Sequence, residues 1–408
     1  MTLLSLDAAV TPRSRFTAPR DPRGSFIDET IGIVARQTRD IVSFAVGSPA
    51  PEALALVGAA DLARDVIERD GPAALGYGIT EGDPDLREIV ADAARARGID
   101  AGAGDVIVTA GALQAIDLVC RVLVRPGDLV VVESPGFTNA LSAFRNYGAR
   151  LLEVPVDADG MVVAHAARAL RRSGERPRLI FVVPNFQNPT GSTMSLRRRE
   201  ELLALAAETG ALVVEDDPYA ELRYRGADLP PLAALAVDTG VISIGSFSKV
   251  FLPGLRVGWA IADGEIVRRM AAAKQALDSS TSSLGQRMAV EFARRGRRRA
   301  HVASLRALYA EKQHRARVAL ARSFGDVPGV RWNDPEGGFY FWVELPRAVS
   351  ARRLFDAALE EGVAFVPGDA FATGTDHSSA LRFSISAPSP DRIDEGVARL
   401  RRAYDRVA

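Results

Sequence analysis

A lysine in a polar loop is the residue best suited to covalent chemistry. Lys249 follows a short apolar strand pattern over Val241–Gly245. The chain contains only three lysines, and the other two, Lys274 and Lys312, fall in Ala/Arg-rich helical runs that predict solvated surface positions. An amine can lose its proton and attack a carbonyl carbon, which a guanidinium cannot do. The pattern therefore favours Lys249 as a nucleophile over the alternative, a surface lysine in a loop.

The residues around Lys249 match a known pattern. Ser246 and Ser248 precede the lysine, and Arg256 follows it in the run Gly-Leu-Arg-Val-Gly-Trp. This segment resembles the cofactor-lysine signature of class I and II aminotransferases, which have fold type I (the aspartate aminotransferase fold) and use pyridoxal 5'-phosphate. The resemblance implies that Lys249 carries the cofactor and that Ser246, Ser248 and Arg256 hold its phosphate. The chemistry agrees, because short hydroxyls and a guanidinium fork suit a phosphate dianion.

Length and charge exclude several classes of protein. With 408 residues the chain is long enough for two domains. Lysine plus arginine and aspartate plus glutamate both total 51, so no basic field favours a nucleic acid or a membrane as partner. A single cysteine permits no disulfide within the chain, the four histidines lack metal-ligand spacing, and no apolar run reaches membrane-spanning length. We therefore expect a cytoplasmic protein without a metal.

Strand and helix patterns alternate through the first two thirds of the chain. Seven short runs of β-branched and apolar residues are typical of parallel strands that are buried on both faces. They are Asp105–Thr109, Leu129–Glu133, Leu151–Pro155, Leu179–Val183, Leu212–Glu215, Val241–Gly245 and Arg256–Ile261. The alternation predicts a large α/β domain over residues 46–285, with three layers and a mostly parallel seven-stranded sheet.

The two ends of the chain have a different character. Residues 1–45 predict an N-terminal arm followed by a helix near Asp28–Thr38, which we expect to pack with the small domain or a partner subunit. From residue 286 a long helical run, Gln286–Phe324, which we expect to contain a break, precedes short strand patterns and a terminal helix from Pro390. These features predict a smaller α+β domain over residues 286–408.

Ligands of parallel α/β sheets bind beyond the carboxyl ends of the strands. After the first run, Gly111 opens a helix whose first amides, those of Ala112 and Leu113, suit an anion, with an ordinary strand-to-helix turn as the alternative. The resemblance implies that these amides contact the phosphate. It also implies that Phe137 stacks on the pyridine ring and that Asn188, in Gln-Asn-Pro-Thr-Gly, donates to the ring 3'-oxygen. Without the resemblance, Phe137 would be interpreted as a core residue and the segment around Asn188 as a turn.

An acidic pair, Asp216 and Asp217, follows the fifth run. A carboxylate beside a pyridine nitrogen keeps that nitrogen protonated, and the protonated ring accepts electrons from a carbanion. The family spacing places this carboxylate three residues before a tyrosine that binds the 3'-oxygen, which selects Asp216 and Tyr219. Adjacent strand residues point to opposite faces, so only one of the two carboxylates can reach the ring. Asp217, or an acidic pair that caps the next segment, is the alternative.

Three further matches lie outside these strands. The resemblance implies that Tyr77 reaches the phosphate of the neighbouring subunit, that Gly47 lines the substrate site and that Arg382 binds the substrate α-carboxylate. A guanidinium binds a carboxylate through two parallel hydrogen bonds and so fixes its plane. An arginine on an apolar strand would otherwise extend to the surface. These matches imply a homodimer with shared active sites.

The matches run from about residue 41 to the C-terminus and most resemble the 2-aminoadipate, kynurenine and broad-specificity branch. We therefore expect an aminotransferase that moves the amino group of an L-amino acid to an oxo acid, 2-oxoglutarate, in ping-pong fashion, with Lys249, Asp216 and Tyr219 catalytic. A lyase, decarboxylase or cyclase on the same fold is the alternative. The intact Lys249, Asp216 and Arg382 argue against a non-catalytic sensor. About 40 residues precede the fold, too few for the winged helix of related transcriptional regulators.

Overall fold

A computed structural model describes residues 26–36, 39–294 and 296–408. The predicted arm, residues 1–25, lies outside these ranges. The helix predicted at Asp28–Thr38 is observed as Phe26–Ala35. Among the described residues, no helix combines the length and the apolar character that crossing a bilayer requires.

In the described part of the chain, the strands form three sheets. In chain order they are β1 (Val42–Ser43), β2 (Val106–Thr109), β3 (Leu129–Ser134), β4 (Arg150–Asp157), β5 (Gly160–Met161), β6 (Leu179–Val182), β7 (Leu212–Asp216), β8 (Val241–Ser246), β9 (Gly258–Ile261), β10 (Arg331–Trp332), β11 (Tyr340–Glu344), β12 (Val363–Ala364), β13 (Val366–Pro367) and β14 (Ala380–Ser384). The largest sheet has eight strands in the order β2-β9-β8-β7-β6-β3-β4-β5. Its central strands are parallel, and β9 runs antiparallel to both β2 and β8.

All seven strand patterns of the sequence lie in this sheet, which confirms the mostly parallel sheet. Their residues are apolar on consecutive positions because helices cover both faces, and β2 and β3 are buried along their whole length. The eighth strand, β5, has two residues and pairs antiparallel with β4. So short a strand shows no period, and no pattern in the sequence predicts it.

Helices of the large domain cover its sheet on both faces, and the described residues contain fifteen α-helices in all. They are α1 (Phe26–Ala35), α2 (Pro51–Ala55), α3 (Ala59–Asp70), α4 (Pro72–Leu75), α5 (Pro84–Arg95), α6 (Ala112–Leu123), α7 (Thr138–Asn146), α8 (Val163–Ser173), α9 (Leu196–Thr209), α10 (Leu232–Leu235), α11 (Gly264–Gln275), α12 (Ser283–Arg294), α13 (Arg297–Phe324), α14 (Ala351–Glu360) and α15 (Pro390–Asp405). One core joins α6, α7 and α11 to the sheet and includes Ile116 and Val132. The core on the other face joins α8 and α9 to the sheet and includes Leu202 and Val131. The large domain therefore has the predicted three layers.

The smaller domain is built on the four-stranded antiparallel sheet β10-β11-β14-β13. α13, α14 and α15 enclose its core, which includes Phe341. β1 joins this domain, because Val42 pairs in parallel with Val363 of β12 and Phe44 stacks on Phe383 with ring centroids 3.9 Å apart. The segment that follows β1 therefore leads from the small domain to the large one.

The helical run Gln286–Phe324 contains the expected break, since α12 ends at Arg294 and α13 begins at Arg297. α12 packs against α3 and α5 of the large domain, whereas α13 packs against α15 of the small domain. The predicted boundary at residues 285 and 286 lies within α12. We propose that the chain passes between the domains at the break after α12.

Lys274 and Lys312 are buried, so their prediction as solvated surface residues is wrong. Both side chains are 0% exposed. Lys274 Nζ donates to Asp278 Oδ1 at 2.7 Å. Lys312 Nζ pairs with Glu52 at 2.7 Å and donates to the Ser386 carbonyl at 3.0 Å. These acceptors compensate the hydration that a buried ammonium loses. The partners of Lys312 are distant in sequence, so its Ala/Arg-rich helix gives no sign of them.

Candidate active site

A cavity of about 300 Å³ lies where the two domains meet. The large domain contributes the ends of β7 and β8, and the small domain contributes β11 and β14. Every predicted site residue except Tyr77 lines it: Gly47, Ala112, Leu113, Phe137, Asn188, Asp216, Tyr219, Ser246, Ser248, Lys249, Arg256 and Arg382. Folding thus brings together side chains that are spread over most of the sequence.

Lys249 is positioned by a single 3-10 turn that follows β8. Ser246 caps the turn, because its hydroxyl accepts a hydrogen bond from the Ser248 amide at 3.1 Å. Lys249 Nζ donates to the Gly47 carbonyl at 2.8 Å. Burial lowers the pKa of the Lys249 ammonium. A lowered pKa increases the fraction of Lys249 that is the neutral, nucleophilic amine near neutral pH.

The two neighbouring aspartates have different surroundings. Asp217 accepts hydrogen bonds from Asn185 Nδ2 and Arg97 Nη2, both at 2.8 Å. Asp216 lines the cavity, and its buried Oδ1 has no hydrogen-bond partner among the described residues. Burial raises the pKa of Asp216 to about 7, and the charge of Asp217 adds to the shift. This carboxyl group therefore suits a cationic N–H group, which would lower its pKa again.

Arg382 is a buried cation at the small-domain side of the cavity, only 1% exposed. Its Nη1 donates to Asn188 Oδ1 at 2.9 Å and its Nη2 to the Ala45 carbonyl at 2.6 Å. The rings of Tyr340 and Phe371 face the guanidinium at 4.6 Å and 5.0 Å. Within the described ranges no carboxylate pairs with it, and its Nε has no acceptor. Because burying an unpaired charge is costly, this position suits an anionic ligand.

Arg256 belongs to a second anion-binding group. Its Nη1 lies 3.5 Å from Ser248 Oγ, and its Nη2 donates to the Ala110 carbonyl at 3.3 Å. Gly111, with φ of 81°, precedes the first residue of α6, and a side chain there would collide with the guanidinium. The amides of Ala112 and Leu113, the first two of α6, have no acceptor within the helix. Guanidinium, hydroxyl and free amides together suit a phosphate.

Other lining residues carry no chemical signal that a motif could reveal. Ile27 of α1, Asn139 of α7 and Val183 after β6 line the cavity together with Phe137. Tyr340 also lines the cavity, and no motif marks it: it starts the aromatic run of β11 and lies two residues from Trp342, the partner of Arg382 in the register of β11 and β14. The register of β11 and β14 places Tyr340 in the cavity, and that register is not visible in the sequence.

Tyr77 lies outside the cavity. Its side chain is 92% exposed, and it stands between Leu75 and Ile79, which are 65% and 51% exposed. The segment is nevertheless fixed, since Ser283 Oγ of α12 donates to the Gly76 carbonyl at 2.8 Å. A fixed segment with three exposed large side chains is typical of a surface that another chain covers.

A buried carboxyl group fastens the loop that carries Asn188. Glu133 Oε2 accepts hydrogen bonds from the Val183 amide at 3.1 Å and from Gln187 Nε2 at 3.2 Å. Gln187 Oε1 in turn accepts from the Thr190 amide at 2.8 Å. Burial raises the pKa of Glu133 to about 8. The carboxyl group is therefore mostly protonated at neutral pH.

We expect Glu133→Gln to stabilise the protein at alkaline pH. The folded-state pKa of Glu133, about 8, lies above the ordinary value of 4.5. Its contribution to stability is therefore complete below the ordinary value and is lost as pH rises through 8. Glutamine keeps an acceptor oxygen and does not ionise. The melting temperature of the variant, compared with that of the wild type, should rise progressively between about pH 4.5 and 8 and then stay constant.

Glu153→Gln is the matched control for this prediction. Hydrogen bonds from Thr373 and Thr375 outweigh the effect of burial and lower the pKa of Glu153 to about 2. The substitution should therefore lower the melting temperature over the same pH range without an alkaline gain. A constant difference between Glu133→Gln and the wild type at every pH would contradict the raised pKa.

Comparisons with known proteins agree with this geometry. Residues 39–400 match the family model "Aminotransferase class I and II". The chain is 41% identical over 371 residues to 2-aminoadipate transaminase of Thermus thermophilus, covering 90% of this chain and 91% of that protein. It is 35% identical over 382 residues to aromatic-amino-acid aminotransferase 1 of Thermococcus litoralis, covering 93% and 91%. Kynurenine aminotransferase of Pyrococcus horikoshii, solved in complex with pyridoxamine phosphate (PMP), superposes with a TM-score of 0.88 at 36% identity, covering 94% of this chain and 95% of that chain. By sequence, fold and site geometry, the chain belongs to the class I and II aminotransferase family and is a pyridoxal-phosphate-dependent aminotransferase.

Proposed function

We propose that this chain transfers the α-amino group of an L-amino acid with an uncharged apolar or aromatic side chain to an oxo acid, 2-oxoglutarate. The proposal rests on three groups that lie in the same cavity. A single cavity contains the amine of Lys249, the Oδ1 of Asp216 and the buried guanidinium of Arg382, and among the described residues Oδ1 has no hydrogen-bond partner and the guanidinium no carboxylate. These three groups suit a carbonyl carbon, a cationic ring nitrogen and a carboxylate, which are the parts that amino-group transfer requires.

The described residues fit pyridoxal phosphate. The orphaned Oδ1 of Asp216 suits the ring N–H, and the donors around Arg256 suit the phosphate. When bound, the cofactor supplies an aldehyde that an amine can bond and a cationic ring that delocalises negative charge from the substrate α-carbon. We assign Ala112, Leu113, Ser246, Ser248 and Arg256 to the phosphate, Phe137 to the ring face, Asp216 to the ring nitrogen, Asn188 and Tyr219 to the ring oxygen, and Lys249 to the aldehyde carbon.

Lys249 and Arg382 act on different groups of the substrate. Because burial lowers its pKa, Lys249 Nζ can accept the α-proton and deliver it to the adjacent carbon. Arg382 binds the α-carboxylate through two parallel hydrogen bonds, which fixes the substrate and leaves the α-hydrogen within reach of Nζ. Asp216 holds the proton of the ring nitrogen while charge develops. Gly47 completes the substrate side of the site.

The cavity walls favour an uncharged donor. Ile27, Val46, Leu113 and Phe137 are apolar. Beyond the three cations assigned above, the described lining contains no lysine or arginine. An apolar or aromatic donor side chain therefore gains contact with these walls. The relatives named for aromatic amino acids and kynurenine fit this donor class better than the one named for 2-aminoadipate.

A panel of L-amino acids tests the donor and the acceptor together. With 2-oxoglutarate present, glutamate formation should be faster with aromatic and branched apolar donors than with 2-aminoadipate or aspartate, by at least about tenfold in kcat/KM. A preference for 2-aminoadipate would overturn the proposed donor class. Formation of alanine from pyruvate, without glutamate from 2-oxoglutarate, would overturn the proposed acceptor.

We propose that two chains form a homodimer with shared active sites. The exposed Leu75, Tyr77 and Ile79 support an interface at this segment. Leu113, which lines the cavity and is 37% exposed, is a further apolar side chain that a partner chain could cover. Tyr77 of one protomer would then reach the phosphate site of its partner, where a phenol can donate a hydrogen bond.

Shared sites predict that two defective variants complement each other. Tyr77→Ala and Lys249→Ala each remove one group from a site built by two chains. In a mixed dimer one site has both defects and the other has neither, so random exchange of subunits should restore about a quarter of wild-type activity. The measurement is activity after mixing, above the residual activity of each variant alone.

A second mixture is the matched control. Lys249 and Arg382 belong to the same chain's site, so a mixed dimer of Lys249→Ala and Arg382→Ala has one defect in each site and should gain no activity. A lack of restoration with Tyr77→Ala, in a sample shown to contain mixed dimers, would contradict shared sites. A fully active monomer in sedimentation would contradict the dimer itself.

A further inference from the structure

Tyr340 brings a second phenol into the active site. Its side chain is 2% exposed, and β11 places it opposite Ser384 of β14. Its Oη lies 3.0 Å from Tyr219 Oη, and the two rings meet edge to face with centroids 5.8 Å apart. Its ring also covers the guanidinium of Arg382 at 4.6 Å. Tyr340 therefore contacts both the tyrosine assigned to the ring oxygen and the arginine assigned to the substrate carboxylate.

The hydroxyl of Tyr340 occupies space that a glycine leaves free. A Cβ at Gly47 would collide with Tyr340 Oη. Gly47 is absent from the glycines with positive φ in the described residues, so close approach rather than backbone conformation requires glycine here. The carbonyl of Gly47 also holds Lys249 Nζ at 2.8 Å. The Tyr340 hydroxyl is thus enclosed beside the reacting groups.

The role of Tyr219 sets the direction of the hydrogen bond between the two phenols. A phenol has one proton to donate and can also accept. Burial raises the pKa of Tyr219 well above its usual value, and the neighbouring Tyr340 adds to the shift, so Tyr219 stays protonated and can donate. If the O–H of Tyr219 donates a hydrogen bond to the cofactor ring oxygen, Tyr219 can only accept the hydrogen bond that it shares with Tyr340. A donor that itself accepts a hydrogen bond becomes a stronger donor.

We propose that Tyr340 is a positioning residue whose hydroxyl donates to Tyr219 Oη, and so orients and strengthens the hydrogen bond from Tyr219 to the cofactor ring oxygen. This inference rests on the proposed function. It predicts a shift in the titration of the bound cofactor. The hydrogen bond from Tyr219 would stabilise a negative charge on the ring oxygen. This would lower the pKa of the Lys249 nitrogen when Lys249 is bonded to the cofactor, because that nitrogen shares its proton with the ring oxygen. If that bond weakens, the proton is held more tightly and the pH midpoint of the cofactor absorbance rises.

Tyr340→Phe tests the proposal because it keeps the ring over Arg382 and removes only the hydroxyl. In the holoenzyme we expect the pH midpoint of the cofactor absorbance to rise by roughly half a unit or more. Tyr219→Phe should raise it further. In the double variant, Tyr340→Phe should add nothing to the effect of Tyr219→Phe, because the hydroxyl then has no phenol to act through.

Tyr309→Phe is the matched control. Tyr309 is a buried phenol outside the cavity lining, and its Oη accepts a hydrogen bond from the Ala50 amide at 3.0 Å. This variant should lower the melting temperature and leave the midpoint unchanged. An unchanged midpoint in Tyr340→Phe would overturn the proposal, as would an equal shift with and without the Tyr219 hydroxyl. Absence of glutamate formation by the wild type would instead contradict the proposed function.

Discussion

Lys249→Ala is expected to leave a folded protein that binds pyridoxal phosphate and turns over at most marginally. The phosphate donors around Arg256 and the carboxyl group of Asp216 remain in this variant, so cofactor binding should persist. The nucleophile and the proton carrier are lost together. We expect kcat to fall by at least about 10³-fold. Two measurements check the result: steady-state turnover, and the absorbance of the cofactor bonded to the lysine.

Lys274→Met is the matched control for this experiment. Lys274 is a buried lysine outside the cavity lining, paired with Asp278 at 2.7 Å. Methionine fills a similar space, so the variant should keep both the cofactor absorbance and activity. Its melting temperature should fall, because Asp278 loses its ammonium partner. Loss of the absorbance in Lys274→Met, with its retention in Lys249→Ala, would refute the assignment of Lys249.

Arg382→Ala should cost about 2–4 kcal/mol of transition-state stabilisation for an amino-acid donor. The substitution removes two charge-assisted hydrogen bonds to the α-carboxylate. It also removes the bonds to Asn188 Oδ1 and the Ala45 carbonyl, which accounts for part of the loss. The measurement is kcat/KM for a donor and for the corresponding amine without a carboxylate. The amine should lose far less.

Arg256→Ala provides the comparison for Arg382→Ala. Arg256 is assigned to the phosphate, so its removal should weaken cofactor retention and lower the rates with the donor and with the amine in similar proportion. Only Arg382→Ala should discriminate between them. Equal losses for the two substrates in Arg382→Ala would contradict a role in carboxylate binding.

The aspartate pair illustrates how far reasoning from the sequence extends. Runs of β-branched residues predict seven of the eight strands of the large sheet because strands buried on both faces must be apolar at consecutive positions. The alternation of side chains along β7 then allows only one of the two carboxylates to face the ligand. The structure places Asp216 in the cavity and pairs Asp217 with Arg97 and Asn185. Local periodicity and motif spacing therefore suffice for this part of the site.

Lys312 and Tyr340 illustrate where such reasoning ends. Lys312 can be buried because Glu52 forms an ion pair with it and the Ser386 carbonyl accepts its hydrogen bond. Both partners come from distant parts of the chain. Tyr340 belongs to an apolar aromatic run that predicts only a strand, and its contact with Tyr219 depends on how the small domain packs on the large one. Tertiary packing decides both cases, and neither leaves a periodic signal in the sequence.

Amino-group transfer is tested most directly by a half-reaction. The holoenzyme is mixed with a single amino-acid donor in the absence of any oxo acid, and the cofactor absorbance and the released products are followed. We expect one change of absorbance, with release of a single equivalent of oxo acid per site, after which the reaction stops. Addition of 2-oxoglutarate should then restore the original absorbance and release glutamate. Continuous release of carbon dioxide or ammonia from the amino acid alone would contradict amino-group transfer and identify a lyase instead.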